Sequence, residues 1–332
     1  MTSNEEKDEP GTMSPQENVS TTLREIAELA RQYAVLSTVG HRLSKPVLEE
    51  AFRRTRKDGA PGVDAVGAQE YEANLSENLE NLLTRVKSKR YRAPAVKRAW
   101  IPKDDGTKRP LGIPTIEDKI LQRAVVMLLE PVYEQTFLDC SYGFRPGRSA
   151  HMALQALKEG FHTKRVKWVI DADLKDFFGS VNHALLRELV QSRVNDGTII
   201  RLIGKWLNAG VMEKGNISFP EQGTPQGGVI SPLLGNIFLH YVLDEWFAKE
   251  VQPRMQGGSV LERYADDFVI GFEHQEDALR VLEVLRKRLA KYGLQLHESK
   301  THLVKFKDPR EDDDEKPGTF DFLGLTHYRR RS

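Results

Sequence analysis

Two aspartates stand side by side, Asp266 and Asp267, between the apolar runs of RYADDFVIGF (263–272). Leu261, Phe268, Val269 and Ile270 mark both flanks as buried strands, so the carboxylates fall where hydrocarbon is expected. Like charges at a buried hairpin tip repel each other unless a cation or an arginine neutralises them. Oxygen donors with no His or Cys beside them point to Mg²⁺, with Mn²⁺ as a substitute. Taken alone a Tyr-x-Asp-Asp match is weak evidence, because Asp is common in hairpin turns.

A second carboxylate group lies in VIDADLKDFF (169–178), which offers Asp171, Asp173 and Asp176. Strand alternation puts Val169, Asp171 and Asp173 on one face and Ile170 and Ala172 on the other. Asp173 falls at the strand end, where a side chain can face a site. Asp173 and Asp266 are 93 residues apart, room for a helix-containing crossover that sets two strands side by side. Two Mg²⁺ ions held by strand-end aspartates are an apparatus for in-line phosphoryl transfer. A third piece is GTPQGGVISPLLGN (223–236). Its glycines let backbone approach a ligand, and the helix that follows can present its N-terminus to an anion. An ordinary loop capped by Ser231 accounts for the same residues.

The elements that must carry these residues can be read from periodicity. Residues 1–19 are polar and aperiodic and read as a disordered tail. A helix then places Leu23, Ile26, Ala30 and Tyr33 on one face. A second helix follows Ser44 and stops near Gly59. EYEANLSENLENLLTRVKSK reads as one long amphipathic helix. KRAWIPKDDGTKRPLGIP reads as a basic hairpin turning at Asp105-Gly106. IEDKILQRAVVMLLEPVYEQTF is helical. SPLLGNIFLHYVLDEWF, with Ser231 as N-cap and Pro232 at the first helical position, is apolar nearly all round and predicts a buried helix. From Val166 the order is strand, helix, helix, strand-turn-strand, helix, strand, which an antiparallel sheet with helices on one face satisfies.

Composition bounds the class. Apolar residues make up 39% of the 332 and charged residues 29%, as in a globular chain with some excess of charge. The single cysteine, Cys140, excludes a disulfide framework and a cysteine-based zinc site. No apolar run reaches membrane-span length and no signal-peptide pattern opens the chain, so the expected compartment is the cytoplasm. The net charge of +1 is unevenly spread: from Arg85 to Arg123 there are twelve Lys/Arg against four Asp/Glu. Acid collects at Glu5–Glu9 and Glu311–Glu315. A basic band on a near-neutral chain fits a directed contact with a polyanion, or a solvated helix face.

Together YADD, DADLKDFF and GTPQGGVISPLLGN resemble the palm of a reverse transcriptase of the group II intron-encoded (maturase) type. RKDGAPGVDAV, IPKDDGTKRPLGIPTIEDKILQRAV and SYGFRPGRSAHMAL resemble that family's N-terminal extension and fingers, and GLQLHESKT and FDFLGLTHY its later palm segments. The resemblance runs from about Leu48 to Tyr328. It implies an α+β right-hand polymerase: extension and fingers over 20–165, and over 166–332 a palm whose antiparallel sheet packs on helices in an RRM/ferredoxin-like core. Carried over, Asp173, Asp266 and Asp267 match the metal-binding catalytic aspartates, and the backbone carbonyl of Leu174 completes one metal shell. Phe178 matches the bulky residue that closes the sugar pocket and favours deoxynucleotides; a core aromatic is the other reading. Gln226, with Gly227 after it, matches the Pro-Gln-Gly run lying against incoming nucleotide and template. Lys103, Lys108 and Arg109 sit on the hairpin that folds over the triphosphate, Arg109 and Lys103 foremost, with phosphate-backbone contact as the alternative. Arg145 and Arg148 grip template phosphates or brace the fingers. Lys300 is a candidate beside the pyrophosphate.

The resemblance implies an RNA-directed DNA polymerase copying RNA, intron RNA foremost, from a primer with deoxynucleoside triphosphates. The sequence stops at Ser332, where family members continue into a thumb and maturase domain. Weak unaided binding to nucleic acid is expected, with a separate thumb-bearing chain or a homodimer as possible partners and no membrane. Three further readings share these motifs: an RNA-directed RNA polymerase, which Phe178 opposes, a catalytically idle RNA-binding splicing cofactor, and a defence- or CRISPR-associated reverse transcriptase.

Overall fold

The structure, a computed structural model, describes residues 15–102, 106, 108–219, 223, 227–306 and 318–329. Expectations for Lys103, Asp105, Gln226, the acidic runs and the first fourteen residues of the tail lie outside the described residues.

Helix α1 (Pro15–Gln32) buries Val19, Ile26 and Ala30. It begins inside the segment read as tail, because Val19 already belongs to its apolar face. Helix α2 (Lys45–Arg54) stops at Arg54 rather than near Gly59. Its apolar face ends at Phe52, and Thr55 turns extended while its hydroxyl donates to the Ala51 carbonyl at 2.7 Å. The single long helix expected next is two, α3 (Ala68–Glu72) and α4 (Leu75–Lys87). Asn74 leaves the helical region between them, and the Asn78 side-chain Nδ2 donates to the Tyr71 carbonyl at 2.9 Å, satisfying the end of α3.

Strands β1 (Val96–Pro102) and β2 (Lys108–Ile113) form the expected hairpin, in register from Lys97↔Ile113 to Pro102↔Lys108. Helix α5 (Ile116–Tyr133), capped by the Thr115 hydroxyl, is buried nearly all round against α1 and α2. Then come α6 (Ala150–Thr163), β3 (Trp168–Ala172), the short α7 (Phe177–Ser180), α8 (His183–Gln191) and α9 (Gly197–Leu207). Strands β4 (Val211–Glu213) and β5 (Asn216–Ser218) extend the basic hairpin into a sheet of order β2-β1-β4-β5, with β4 parallel to β1. Helix α10 (Ser231–Leu239) continues through π-helical turns at His240–Asp244 and Phe247–Val251. Ser231 is its first residue and not its cap; the Ile230 amide before it donates to the Gln122 side chain at 3.3 Å.

The site-bearing sheet has order β6-β7-β3-β8, all antiparallel, from β6 (Ser259–Tyr264), β7 (Asp267–Phe272), β3 and β8 (His302–Lys305). Helix α11 (Gln275–Lys291) connects β7 towards β8. Alternation divides the strands between two cores. Ile170, Ala172, Phe268, Ile270 and Phe272 join the large core shared with α10 and α11. Val169 and Val269 face a second core with Leu157 and Phe161 of α6 and with Phe320 and Phe322. The sheet is therefore covered on both faces, not one: α6 and the small hairpin β9 (Phe320–Phe322) and β10 (Leu325–His327) close the side expected to be open. Among the described residues no helix is long and apolar enough to cross a membrane.

Candidate active site

The two-residue turn Ala265-Asp266 joins β6 to β7, whose last pair is Tyr264↔Asp267. Ala265 is left-handed, φ 59°, which aims the turn away from the strand direction. Strand β3 pairs with β7 up to Ala172↔Phe268, so Asp173, one residue on, stands opposite Asp267. The three aspartates singled out in the sequence thus meet at one end of one sheet. Leu174 is buried behind them and forms an isolated bridge with Leu296.

Electrostatics follow from that crowding. Burial pushes the Asp267 carboxyl up to about 6, and Asp171, Asp266 and Asp173 push the same way. The Leu323 amide opposes them, donating to Asp267 Oδ2 at 3.4 Å. Asp266 is also raised, first by burial and then by Asp173, while Arg109 and Arg263 pull it down. Asp171 is raised by burial and steadied by a backbone bond from Asp321. The β9–β10 hairpin thus supports two of the carboxylates through its backbone, a role that no side chain in FDFLGLTH announces. Lys300 Nζ sits 3.1 Å from Asp173 Oδ2, on an aspartate and not clear of them.

The other sites named from sequence divide clearly. Arg109, exposed on β2, lies within electrostatic reach of Asp266, whereas alternation puts Lys108 on the opposite face of that strand. Phe178 is partly buried, its ring edge-on to Phe177 with centroids 5.0 Å apart. Gly235 makes room for the pair: a Cβ there would lie 3.1 Å from the Phe177 ring and 3.3 Å from that of Phe178. Gly223 and Gly227 both have positive φ and press their backbones on Gly179 and Gly112 respectively. Gly223 thus lies against the turn bearing Phe178, and Gly227 against the strand bearing Arg109. Arg145 does not reach for a phosphate. Its side chain is 4% exposed, forked onto Glu134 and bonded to the Leu138 and Ser141 carbonyls, both at 2.7 Å. Its donors are thus bonded within the protein. Arg148 pairs with Asp139 over the Tyr142 ring and stays partly exposed.

As they stand, no three Asp, Glu, His or Cys side chains among the described residues are grouped to hold a metal ion. The donor chemistry nonetheless suits a hard divalent cation. Asp173, Asp266 and Asp267 offer only oxygen, two of them are raised by burial and mutual repulsion, and an ammonium group already rests on the third.

The mixed helices and sheets fit the palm of the class that the family comparison defines. Residues 101–327 match the family model described as reverse transcriptase (RNA-dependent DNA polymerase), and the chain belongs to that family. Within it, the relatives mark the group II intron type. The chain is 41% identical to the group II intron-encoded protein LtrA of Lactococcus lactis subsp. cremoris over 165 residues, 49% of this chain and 27% of that one. It is 39% identical over 168 residues to an uncharacterized 91 kDa protein in the cob intron of Schizosaccharomyces pombe, covering 51% and 20%. Protein YkfC of Escherichia coli strain K12 is 38% identical over 267 residues, 70% of each chain. The chain thus spans about a quarter of LtrA and most of YkfC.

Proposed function

We propose that the chain is an RNA-directed DNA polymerase that extends a primer on an RNA template, intron RNA foremost, with deoxynucleoside triphosphates. The observation that carries this reading is the meeting of Asp173, Asp266 and Asp267 at one sheet end, within electrostatic reach of Arg109 on the basic hairpin. Residues 166–332 act as palm and 20–165 as extension and fingers. Asp173, Asp266 and Asp267, with the Leu174 carbonyl, would hold Mg²⁺. Bound there, the metal ions supply acidity to the primer 3′-hydroxyl and charge neutralisation to the triphosphate. The chain's own residues do the rest. Arg109 balances charge that grows on the phosphates, a role proposed for Lys103 as well. Phe178 bounds the sugar side of the site. Gly223 and Gly227 bring their own backbones against the turn of Phe178 and the strand of Arg109. Lys300 neutralises Asp173 in the unloaded protein.

Primer extension on an RNA template tests the reading. Wild type is expected to extend with Mg²⁺, and Asp266→Ala to fall by about a hundredfold to a thousandfold, the scale of losing one electrostatic element of such a site. Equal inactivity of the two, with intron RNA still bound, would instead make the chain a splicing cofactor of polymerase shape. Preference for ribonucleotides would make it an RNA polymerase.

A further inference from the structure

Arg263 opens the RYADD run, yet its side chain never reaches the surface. It and Asp244, which follows α10, are both 0% exposed. All five guanidinium donors are used. Nε donates to Asp244 Oδ1 at 2.7 Å and Nη2 to Asp244 Oδ2 at 2.5 Å. Nη2 also donates to the Ser141 hydroxyl at 2.8 Å, and Nη1 to Asn236 Oδ1 at 3.0 Å. The remaining bond goes from Nη1 to the Ala265 carbonyl at 2.7 Å. That carbonyl belongs to the left-handed residue of the turn, and the peptide it heads is the one that carries Asp266.

The same turn is also held by the 140–143 backbone. The backbone of residues 140–142 runs along β6, with the Arg263 amide donating to the Cys140 carbonyl at 2.8 Å and the Tyr142 amide to the Arg263 carbonyl at 2.9 Å. This brings Gly143 against the tip: a Cβ on it would lie 2.5 Å from the Ala265 nitrogen and 3.0 Å from the Tyr264 carbonyl carbon. The Gly143 carbonyl is fixed in turn by the Asn236 amide at 2.7 Å, the same side chain that receives Arg263. A buried ion pair is weak evidence of stability, since apolar residues of equal volume often serve as well. A planar fork that joins an anion to one backbone carbonyl is instead suited to fixing direction.

We propose that Arg263 is a positioning residue for the nucleotidyl-transfer site. Through the Ala265 carbonyl it sets the direction in which Asp266 leaves the turn, with Asp244, Asn236 and the Gly143 backbone as its seat. The proposal rests on the polymerase function above. A site carboxylate tolerates displacements of only about 0.5 Å, so a loosened turn slows the reaction without releasing substrate.

Two variants test it independently in the full chain. Arg263→Lys keeps the charge but cannot serve Asp244 and Ala265 together. Gly143→Ala keeps both members of the ion pair and presses on the turn at the Ala265 nitrogen. Each is measured below its own melting temperature by single-turnover primer extension and by amide exchange across 261–270. The expected result is at least a tenfold slower extension, with KM for the deoxynucleotide within twofold of wild type. Faster exchange at Ala265 and Asp266, but not at 268–271, is expected alongside. Folded variants that extend at the wild-type rate would overturn the proposal. Should Arg263→Lys not fold, Gly143→Ala decides alone. Should wild type itself not extend primers, the polymerase reading fails, and tip exchange in the two variants then decides whether Arg263 holds the turn.

Discussion

Lys300 Nζ lies 3.1 Å from Asp173 Oδ2, so a cation of the chain's own stands where the proposed function would place a metal ion. The pair is substantially exposed, 60% and 39% of the two side chains, and such contacts contribute only about 0–1 kcal/mol. Lys300→Met should therefore leave the melting temperature nearly unchanged. It should tighten binding of Mn²⁺, read by electron paramagnetic resonance, by roughly threefold to tenfold, because about 1 kcal/mol of competition is removed. Unchanged Mn²⁺ affinity would mean that Lys300 does not compete for Asp173.

Asp267 predicts a pH dependence with an unusual sign. Its folded value of about 6 stands above the ordinary aspartate value of 3.8, so the native state binds this proton more tightly than the unfolded chain does. Below the unfolded value both states are protonated and nothing is lost. As pH rises through 4 to 6, burying the charged form costs up to about 2–3 kcal/mol by linkage. Metal-free wild type should thus lose stability over this range, while Asp267→Asn should lose less and melt higher than wild type at pH 7.5. Asp266 and Asp171 are shifted the same way, so the diagnostic quantity is the difference between variant and wild type. Extension activity of Asp267→Asn should be abolished, a trade of function against stability. Parallel pH profiles for the two proteins would rule out the assigned shift.

The sequence made the carboxylates legible because their setting was local: alternation in VIDAD and RYADDFVIGF alone put Asp173 and Asp267 at strand ends. The β1–β2 hairpin was legible for the same reason. What pattern could not show was long-range. The β9–β10 backbone that supports Asp267 and Asp171 is invisible to side-chain chemistry. For Arg145 the sequence left phosphate contact and bracing both open, because Glu134, eleven residues earlier on the chain, gives no hint that it folds back to meet it. Nor did pattern pair Arg263 with Asp244, a counter-ion nineteen residues earlier on a different element. The break between α3 and α4 was missed because Ala73-Asn74 carries no glycine or proline.

For Arg145 the burial predicts a folding phenotype and not a binding one. Arg145→Ala leaves two backbone carbonyls without their donor and Glu134 without its partner. Breaking one side of a buried pair costs about 3–5 kcal/mol. Denaturant melts should show that loss. Where the variant remains folded, the salt dependence of RNA binding should keep its slope, because no phosphate contact is removed. A slope smaller by about one would return Arg145 to the phosphate-binding role.

Phe178 provides the sharpest test of which sugar the site accepts. Its ring is wedged against Phe177, and Gly235 leaves just the space the two rings need. Phe178→Ala opens room for a 2′-hydroxyl without touching Asp173, Asp266 or Arg109. Removing a steric bar of one hydroxyl group is worth about 1–3 kcal/mol, or roughly tenfold to two-hundredfold in discrimination. The expected outcome is a rise of that size in kcat/KM for ribonucleotides relative to deoxynucleotides. Truncating a half-buried Phe also destabilises, by up to about 3 kcal/mol, so the comparison belongs within the one folded variant. If the ratio of the two sugars does not move, Phe178 is a core aromatic and sugar choice lies elsewhere in the site.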